Sequence, residues 1–125
     1  MANGESMTPR DLKARTQALA LRVIRLTRAL PNSPEGWVLG KQVLRSGTSV
    51  GANYRSAQRG KSKLDFIAKL AIAEEEADET CYWLELILAA ELLPQDRVEP
   101  LLAEAKEITA ILTAAGKTAK LNKGK

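Results

Sequence analysis

The sequence predicts an all-α protein, an antiparallel up-down four-helix bundle, and three observations support this prediction. Of its 125 residues 45% are hydrophobic but only 4% are aromatic, and the commonest residues are strong helix formers. Apolar residues recur at steps of three and four, the period of a helix face. Pro and capping signals divide this pattern into four segments joined by short turns. At this length we expect a single domain over residues 1–125.

The first helix is predicted over residues 9–30 and the second over residues 34–58. Thr8-Pro9-Arg10-Asp11 supplies a Thr cap, a Pro at the first helical position and a carboxylate three residues after the cap, which are signs of a helix start. Ser33-Pro34 repeats the first two of these signs. Residues 1–7 are polar and lack a cap, so a flexible tail is expected there.

The second helix has three stripes of different chemistry. The first consists of Gly40, Leu44, Gly47, Gly51 and Tyr54, and the second, which is basic, of Lys41, Arg45, Thr48, Ala52, Arg55 and Arg59. The third consists of Leu39, Val43, Ser46, Val50, Asn53 and Ala57. We expect Gly47 and Gly51 to let a neighbouring backbone come close. We expect Asn53 to be buried and to fix the register between helices by a hydrogen bond, with direct ligand contact as the alternative.

The third helix is predicted over residues 63–90, after the capping box Ser62-Lys63-Leu64-Asp65. Between Glu74 and Glu79, five of six residues are carboxylates, so at least one has to face a neighbouring helix. We expect this acidic run to pair with Arg45 or Arg55, within one chain or between subunits. Cys81 is expected to be an ordinary small buried residue.

The fourth helix is predicted over residues 96–115. Asp96-Arg97-Val98-Glu99 is a capping box and Pro100 falls in the first turn, where Pro is tolerated. Gly116 is expected to stop the helix. Residues 117–125 contain four Lys and no acid, and they are expected to form a second flexible tail.

The composition argues against an enzyme. The chain has no His and one Cys, so a nucleophile would lack its usual base and a metal its usual ligands. Glu75 and Glu79 are four residues apart, but di-metal bundles add Glu-x-x-His to such pairs. We therefore predict no catalytic residue, no metal and no cofactor. Without an apolar run of roughly 20 residues or a signal peptide, a cytoplasmic location with no membrane contact is expected.

Charge is divided along the chain. Residues 1–63 carry a net +9, residues 64–116 a net −9 and residues 117–125 a net +4. Such asymmetry indicates a polyanion-binding half, a self-complementary assembly of basic against acidic faces, or both.

Four stretches of the sequence resemble a known family. They are Leu30-Pro31, residues 40–55, residues 63–67 and residues 76–84. These stretches are similar to the four-helix-bundle proteins encoded in intervening sequences of bacterial large-subunit ribosomal RNA genes, and also to the accessory proteins of diversity-generating retroelements. The most specific part is the pattern Arg45-Ser46-x-x-Ser49-x-x-x-Asn53, and the resemblance covers roughly residues 10 to 115.

The resemblance implies an up-down bundle that assembles as a homopentameric ring and has no catalytic residues. The retroelement proteins bind nucleic acid and a reverse transcriptase through basic surfaces, so RNA, DNA, a reverse transcriptase or another protein are implied partners. The matching positions are taken as structural or assembly positions; they are Arg45, Ser46, Ser49, Asn53, Glu79 and Trp83, with Glu75 added from the same face as Glu79.

The sequence thus predicts a non-enzymatic, ring-forming bundle that binds nucleic acid without sequence preference. The side chains expected to meet phosphates are Arg22, Arg25, Arg55, Arg59, Lys61 and Lys63. A structural or protein-interaction module whose basic surface binds an acidic protein stays open as the alternative. For Trp37 and Tyr54, burial in the core is favoured over base stacking.

Overall fold

A computed structural model describes residues 8–122 of the chain. Over that range it consists of four α-helices: α1, Pro9–Ala29; α2, Pro34–Gln58; α3, Lys63–Ala89; and α4, Gln95–Leu121. Each helix packs against the next one in the chain, and α4 returns to pack against α1. The predicted all-α fold with four helices is confirmed. The predicted tail at residues 1–7 and the last three residues of the other tail lie outside the described residues.

The starts of α1 and α2 follow their predicted caps. The Thr8 hydroxyl accepts the Asp11 backbone N–H at 3.1 Å, and the Asp11 carboxylate accepts the Thr8 backbone N–H at 3.2 Å. These two bonds satisfy N–H groups that have no partner inside the helix. The Ser33 hydroxyl accepts from the Gly36 backbone N–H at 3.1 Å, with Pro34 at the first helical position.

The capping box predicted for α3 forms only in part. The Ser62 hydroxyl accepts from the Asp65 backbone N–H at 3.0 Å. The Asp65 carboxylate accepts from the backbone N–H of Lys61 at 3.0 Å, one residue before the cap, instead of from Ser62. Lys69 also contacts this carboxylate, with Nζ at 3.2 Å from Oδ2. The helix nevertheless starts at Lys63, as expected.

Both ends of α4 differ from the prediction. The helix begins at Gln95, after Pro94, and has no side-chain cap. The start lies one residue before the predicted Asp96, but the capping box predicted there does not form. At the other end the helix runs through Gly116 to Leu121, so the predicted stop and the flexible tail are wrong as far as Leu121. No glycine of the described residues has a positive φ, so Gly116 keeps a helical backbone. A glycine inside a helix costs roughly 1 kcal/mol, and the burial of Ala119 in the next turn offsets this cost.

The core is built from aliphatic side chains of all four helices. An apolar stripe of α1 is buried at Leu12, Leu19, Val23 and Leu26. The other helices contribute, among others, Val43, Val50, Leu70, Leu84, Ile87, Ile108 and Leu112. Thr16 is also buried in the α1 stripe, because its hydroxyl donates to the Lys13 carbonyl of the same helix at 3.0 Å. Intrahelical bonding of this kind lets a hydroxyl enter an apolar core.

Glycines of α2 permit a close approach of α1, as predicted. A Cβ on Gly47 would lie 2.9 Å from Cγ2 of Val23, and a Cβ on Gly51 would lie 3.1 Å from Oγ1 of Thr16. The first distance is shorter than real Cβ contacts, so a larger residue at position 47 would displace Val23, whereas at position 51 Thr16 would have to shift by a few tenths of an ångström. Tyr54 is buried at the end of the same stripe.

Candidate nucleic-acid interface

One end of the bundle collects most of the unpaired cations. The start of α1, the end of α2, the start of α3 and the end of α4 meet there, as shown by a groove that residues of all four helices line. We call it the basic end, and its exposed cations are Arg10, Lys13, Arg55, Arg59, Lys61, Lys63, Lys117 and Lys120. Of the carboxylates at this end, Asp11 and Asp65 are bound to backbone N–H groups at helix starts, and Glu107, which lines the groove, is paired with Arg15.

A cleft between α1 and α2 holds four of these cations side by side. It has a volume of about 370 Å³ and is lined by Pro9, Arg10, Lys13, Arg55, Gln58 and Arg59; we call it the basic cleft. No carboxylate lines it. Within residues 8–122, none of its four cations makes an ion pair. The basic cleft therefore has the charge and the open shape of a site for an anionic group.

The close contact between α1 and α2 brings these cations together. Gly51 lies against Thr16, and Lys13 and Arg55 are each one helical turn from that contact toward the basic end. The charges of Arg55 and Arg59 are favoured at the carboxyl end of α2, but Arg10 lies in the first turn of α1, where the helix dipole is positive. Mutual repulsion adds to this cost, and a bound anion would relieve both.

Lys61 and Lys63 extend the basic end beyond the cleft, and both are exposed. The backbone N–H of Lys61 is the main cause that lowers the pKa of the Asp65 carboxyl, followed by Lys69. Asp65 thus keeps its negative charge at neutral pH, but its carboxylate contacts the backbone at the start of α3. The side chain of Lys61 makes no ion pair with it in the described part of the chain.

The six residues predicted to meet phosphates do not form one surface. Arg55 and Arg59 line the basic cleft, and Lys61 and Lys63 follow in the adjacent turn. Arg22 and Arg25 lie farther along α1, about 14 and 18 Å from Lys13 along the helix axis at 1.5 Å per residue.

Arg10 and Lys13, which the sequence reasoning missed, occupy the cleft instead. A signal for them was present in the sequence. Consecutive helices joined by a short turn run antiparallel, so the start of α1 has to lie beside the end of α2.

Arg45 is neutralised by the acidic run of α3. Its Nη1 lies 3.1 Å from Oε1 of Glu76, and its Nη2 donates to Oε1 of Glu79. The expected pairing of this run with Arg45 or Arg55 is thus made by Arg45, within one chain. Because 48% of the Arg45 side chain is exposed, such a pair contributes only about 0–1 kcal/mol to stability.

Ser46 provides the polar contact between α2 and α3 that was expected of Asn53. The hydroxyl oxygens of Ser46 and Thr80 are both buried and lie 2.9 Å apart. Asn53 is half-buried, and its side-chain amide donates to the Ser49 carbonyl of its own helix at 2.8 Å. The Ser49 hydroxyl likewise donates within α2, to the Arg45 carbonyl at 2.7 Å.

Glu75 and Trp83, the other positions assigned to structure or assembly, have different surroundings. Glu75 is exposed. Trp83 is half-buried and packs against the core, with its ring 5.0 Å from that of Tyr82 at an interplanar angle of 64°. Its indole N–H is buried without a hydrogen-bond partner in residues 8–122.

The sequence reasoning also missed an ion cluster that joins α1 to α4. Arg15 donates to both carboxylate oxygens of Glu104, at 3.0 and 2.7 Å, and to Glu107 at 2.5 Å. The hydrogen bond to Glu104 is the main cause that raises the pKa of the Arg15 guanidinium above its usual value. A two-pronged bond of this kind fixes geometry as well as charge.

Several large apolar side chains are exposed on α2 and α3. Trp37 is 61% exposed, contrary to the expected burial, and its indole N–H donates to Asn32 at 2.7 Å. Val38, Leu44, Ile72 and Tyr82 are also exposed. Apolar side chains of this size at the surface are available for contact with another protein.

The described residues include one buried Cys, and neither a metal-binding cluster nor a membrane-spanning helix occurs among them. Cys81 is buried, and desolvation raises the pKa of its thiol. Residues 8–122 contain no group of three or more His, Cys, Asp or Glu side chains placed to hold a metal ion. Among the four helices described, none has the length and apolar character to cross a bilayer.

Comparisons with known proteins agree with this architecture. A family model described as 23S rRNA-intervening sequence protein matches residues 10–114. The chain is similar to a solved structure of a protein with unknown function from the S23 ribosomal protein family, from Bacteroides thetaiotaomicron VPI-5482, at 40% identity and a TM-score of 0.82. That match covers 89% of this chain and 99% of the other. A search of curated proteins gave no match.

Proposed function

The chain belongs to the 23S rRNA-intervening sequence protein family, and on that basis we propose that it is a non-enzymatic protein that forms a homo-oligomeric ring and binds nucleic acid at its basic end. The observation that carries the binding proposal is the basic cleft, in which Arg10, Lys13, Arg55 and Arg59 have no carboxylate among them. The fold itself does not imply this function, which is argued from the site.

Phosphate is the anion that this cleft fits best. Three of its four cations are Arg, whose planar guanidinium binds phosphate oxygens in a two-pronged way. Contacts of this kind read the backbone and not the bases, so we expect binding to RNA and DNA without sequence preference. Neutralising phosphates releases counterions, so affinity should fall steeply as salt rises.

Charge reversal tests the proposal. In fluorescence anisotropy at low salt, Arg55→Glu/Arg59→Glu should weaken binding of labelled RNA and DNA by roughly tenfold or more, because it replaces attraction with repulsion at the phosphates. Arg25→Glu/Arg28→Glu makes the same change of net charge at exposed positions of α1 outside the cleft, and it should have a much smaller effect. Equal losses in both variants would show that only net charge matters. Absence of any binding would instead favour an acidic protein as the partner.

For the ring, the support is the chemistry of the exposed faces of α2 and α3. Both faces present apolar side chains, Val38 on α2 and Tyr82 on α3 among them. The face of α3 adds the exposed acids Glu75 and Asp78, whereas α2 carries the exposed Lys41 one turn from Val38. A ring is built by joining two different surfaces of neighbouring copies, and these faces are complementary in charge. We propose five copies, following the family resemblance.

The mass in solution tests the ring. A pentamer of the 13.6 kDa chain should sediment at about 68 kDa at micromolar concentration. Val38→Glu should shift the protein toward the monomer, because it places a charge in the proposed interface. Ala18→Glu, at an exposed position of α1, is the matched control and should leave the mass unchanged. A wild-type protein that sediments as a monomer would refute the ring.

A further inference from the structure

Besides the basic cleft, the basic end has the groove that residues of all four helices line. It has a volume of about 890 Å³ and an apolar wall that includes Leu12, Tyr54, Phe66, Leu70, Ile111 and Ala115; we call it the apolar groove. Small residues of α4 leave this space open, because Ala110, Ala114, Ala115 and Ala119 all line it. A groove of this size with mostly apolar walls and a few polar groups is typical of a site for a small organic moiety.

The apolar groove adjoins the basic cleft. Pro9 and Gln58 line both cavities, so the two are separated by the width of single side chains. The groove also has polar groups in its lining. Glu107 is paired with Arg15 and Thr8 caps α1, whereas Gln58, Lys63 and Thr118 are exposed and available to an occupant. An occupant that is apolar throughout would leave these groups and the four cations next to them without partners.

We infer that the basic cleft and the apolar groove form one site for an unpaired nucleotide of a single-stranded nucleic acid. The phosphate lies in the basic cleft and the base enters the apolar groove. This inference rests on the proposed nucleic-acid binding and adds a preference for single strands to it. A base has apolar faces, which Phe66 and the aliphatic wall cover, and polar edges, which Gln58, Lys63 and Thr118 meet.

The preference follows from where the base is in each ligand. In a duplex the base is paired and stacked, so it has to be turned out of the helix before it reaches the groove, at an energetic cost. In a single strand that cost is much smaller, and stacking or apolar contact with one base strengthens binding by roughly tenfold or more. A strand with abasic positions keeps its phosphates but loses this contribution.

Variants that narrow the groove test the inference. Ala110→Leu/Ala114→Leu adds two larger side chains at exposed positions that line the groove, one turn apart on α4. Ala14→Leu/Ala18→Leu makes the same change with the same spacing at exposed positions of α1 outside both cavities. The probes are a labelled single-stranded oligonucleotide, its duplex and the same strand with abasic positions, measured by anisotropy at constant salt.

The wild type and the α1 control should bind the single strand at least roughly tenfold more tightly than the duplex or the abasic strand. The groove variant should lose this preference while keeping its affinity for the duplex. Equal affinity of the wild type for all three probes would overturn the inference, as would an unchanged preference in the groove variant. Circular dichroism checks folding. If the double variant does not fold, the single variant Ala114→Leu is measured in its place, and the same outcomes apply to it.

The same probes keep the two proposals apart. If Arg55→Glu/Arg59→Glu weakens binding of all three probes but the groove variant changes nothing, nucleic-acid binding stands and the inference about the base fails. If reversal of the cleft Arg residues leaves every affinity unchanged, the proposed function fails first, and the inference fails with it.

Discussion

At the residue scale, the polar contact between α2 and α3 consists of two buried hydroxyls, those of Ser46 and Thr80, whose oxygens lie 2.9 Å apart. Each single substitution, Ser46→Ala or Thr80→Val, should lower the free energy of unfolding by about 1 kcal/mol, because it removes a buried hydrogen bond. The double variant should lose less than the sum, by about 0.5 kcal/mol or more. Urea unfolding of the wild type, the two single variants and the double variant measures this coupling. Losses of unfolding free energy that add fully in the double variant would show that the hydroxyls do not interact.

Cys81 provides a second residue-scale prediction. Burial raises the pKa of its thiol, so less thiolate is present at any given pH, and the thiolate is the reactive form. We expect a thiol reagent such as Ellman's reagent to modify folded protein far more slowly than protein unfolded in urea. Complete modification of the folded protein within the mixing time would contradict this burial.

At the element scale, two glycines with opposite surroundings make a matched pair. A Cβ on Gly47 would lie 2.9 Å from the buried, branched Val23, whereas a Cβ on Gly116 would meet nothing within 4 Å. Gly47→Ala should therefore destabilise the protein, by about 1–3 kcal/mol through overpacking, despite the better helix propensity of Ala. Gly116→Ala should stabilise it by about 0.5–1 kcal/mol. Thermal unfolding of both variants measures the difference, and the same sign of change in both would be the contrary result.

The sequence determined the helices better than it determined their ends. The caps at Thr8 and Ser33 were predictable because a cap is a local contact between residues three apart. The ends of α4 were not, because Gly116 stays helical through tertiary burial of Ala119, and helix propensity alone does not register such burial. The capping box predicted at Asp96 likewise reflects a pattern of residue types whose side-chain bonds do not form.

At the scale of the whole molecule, the packing of the helices brings most of the unpaired cations together at the basic end. Arg15 is paired with Glu104 and Glu107, and Arg45 with Glu76 and Glu79. These pairs across helices neutralise two cations of the basic half, whereas none of the cations of the basic end makes an ion pair within residues 8–122. Periodicity along a single helix predicts which residues share a face, but not which cations meet acids of another helix. The sequence reasoning indicated Arg55 and Arg59 but missed Arg10 and Lys13, because it did not place the start of α1 beside the end of α2.

The salt dependence of binding tests the central claim most directly. Each phosphate contact in a single strand contributes about 0.7 to the slope of log K against log salt concentration. Replacing the four cations of the basic cleft, Arg10, Lys13, Arg55 and Arg59, by Gln should therefore reduce the magnitude of the slope by about 0.7 for each phosphate that the cleft holds, and so by at least about 0.7 in total. The account predicts this reduction together with weaker binding at every salt concentration. A slope unchanged from that of the wild type would contradict the claim that the basic end holds the phosphates.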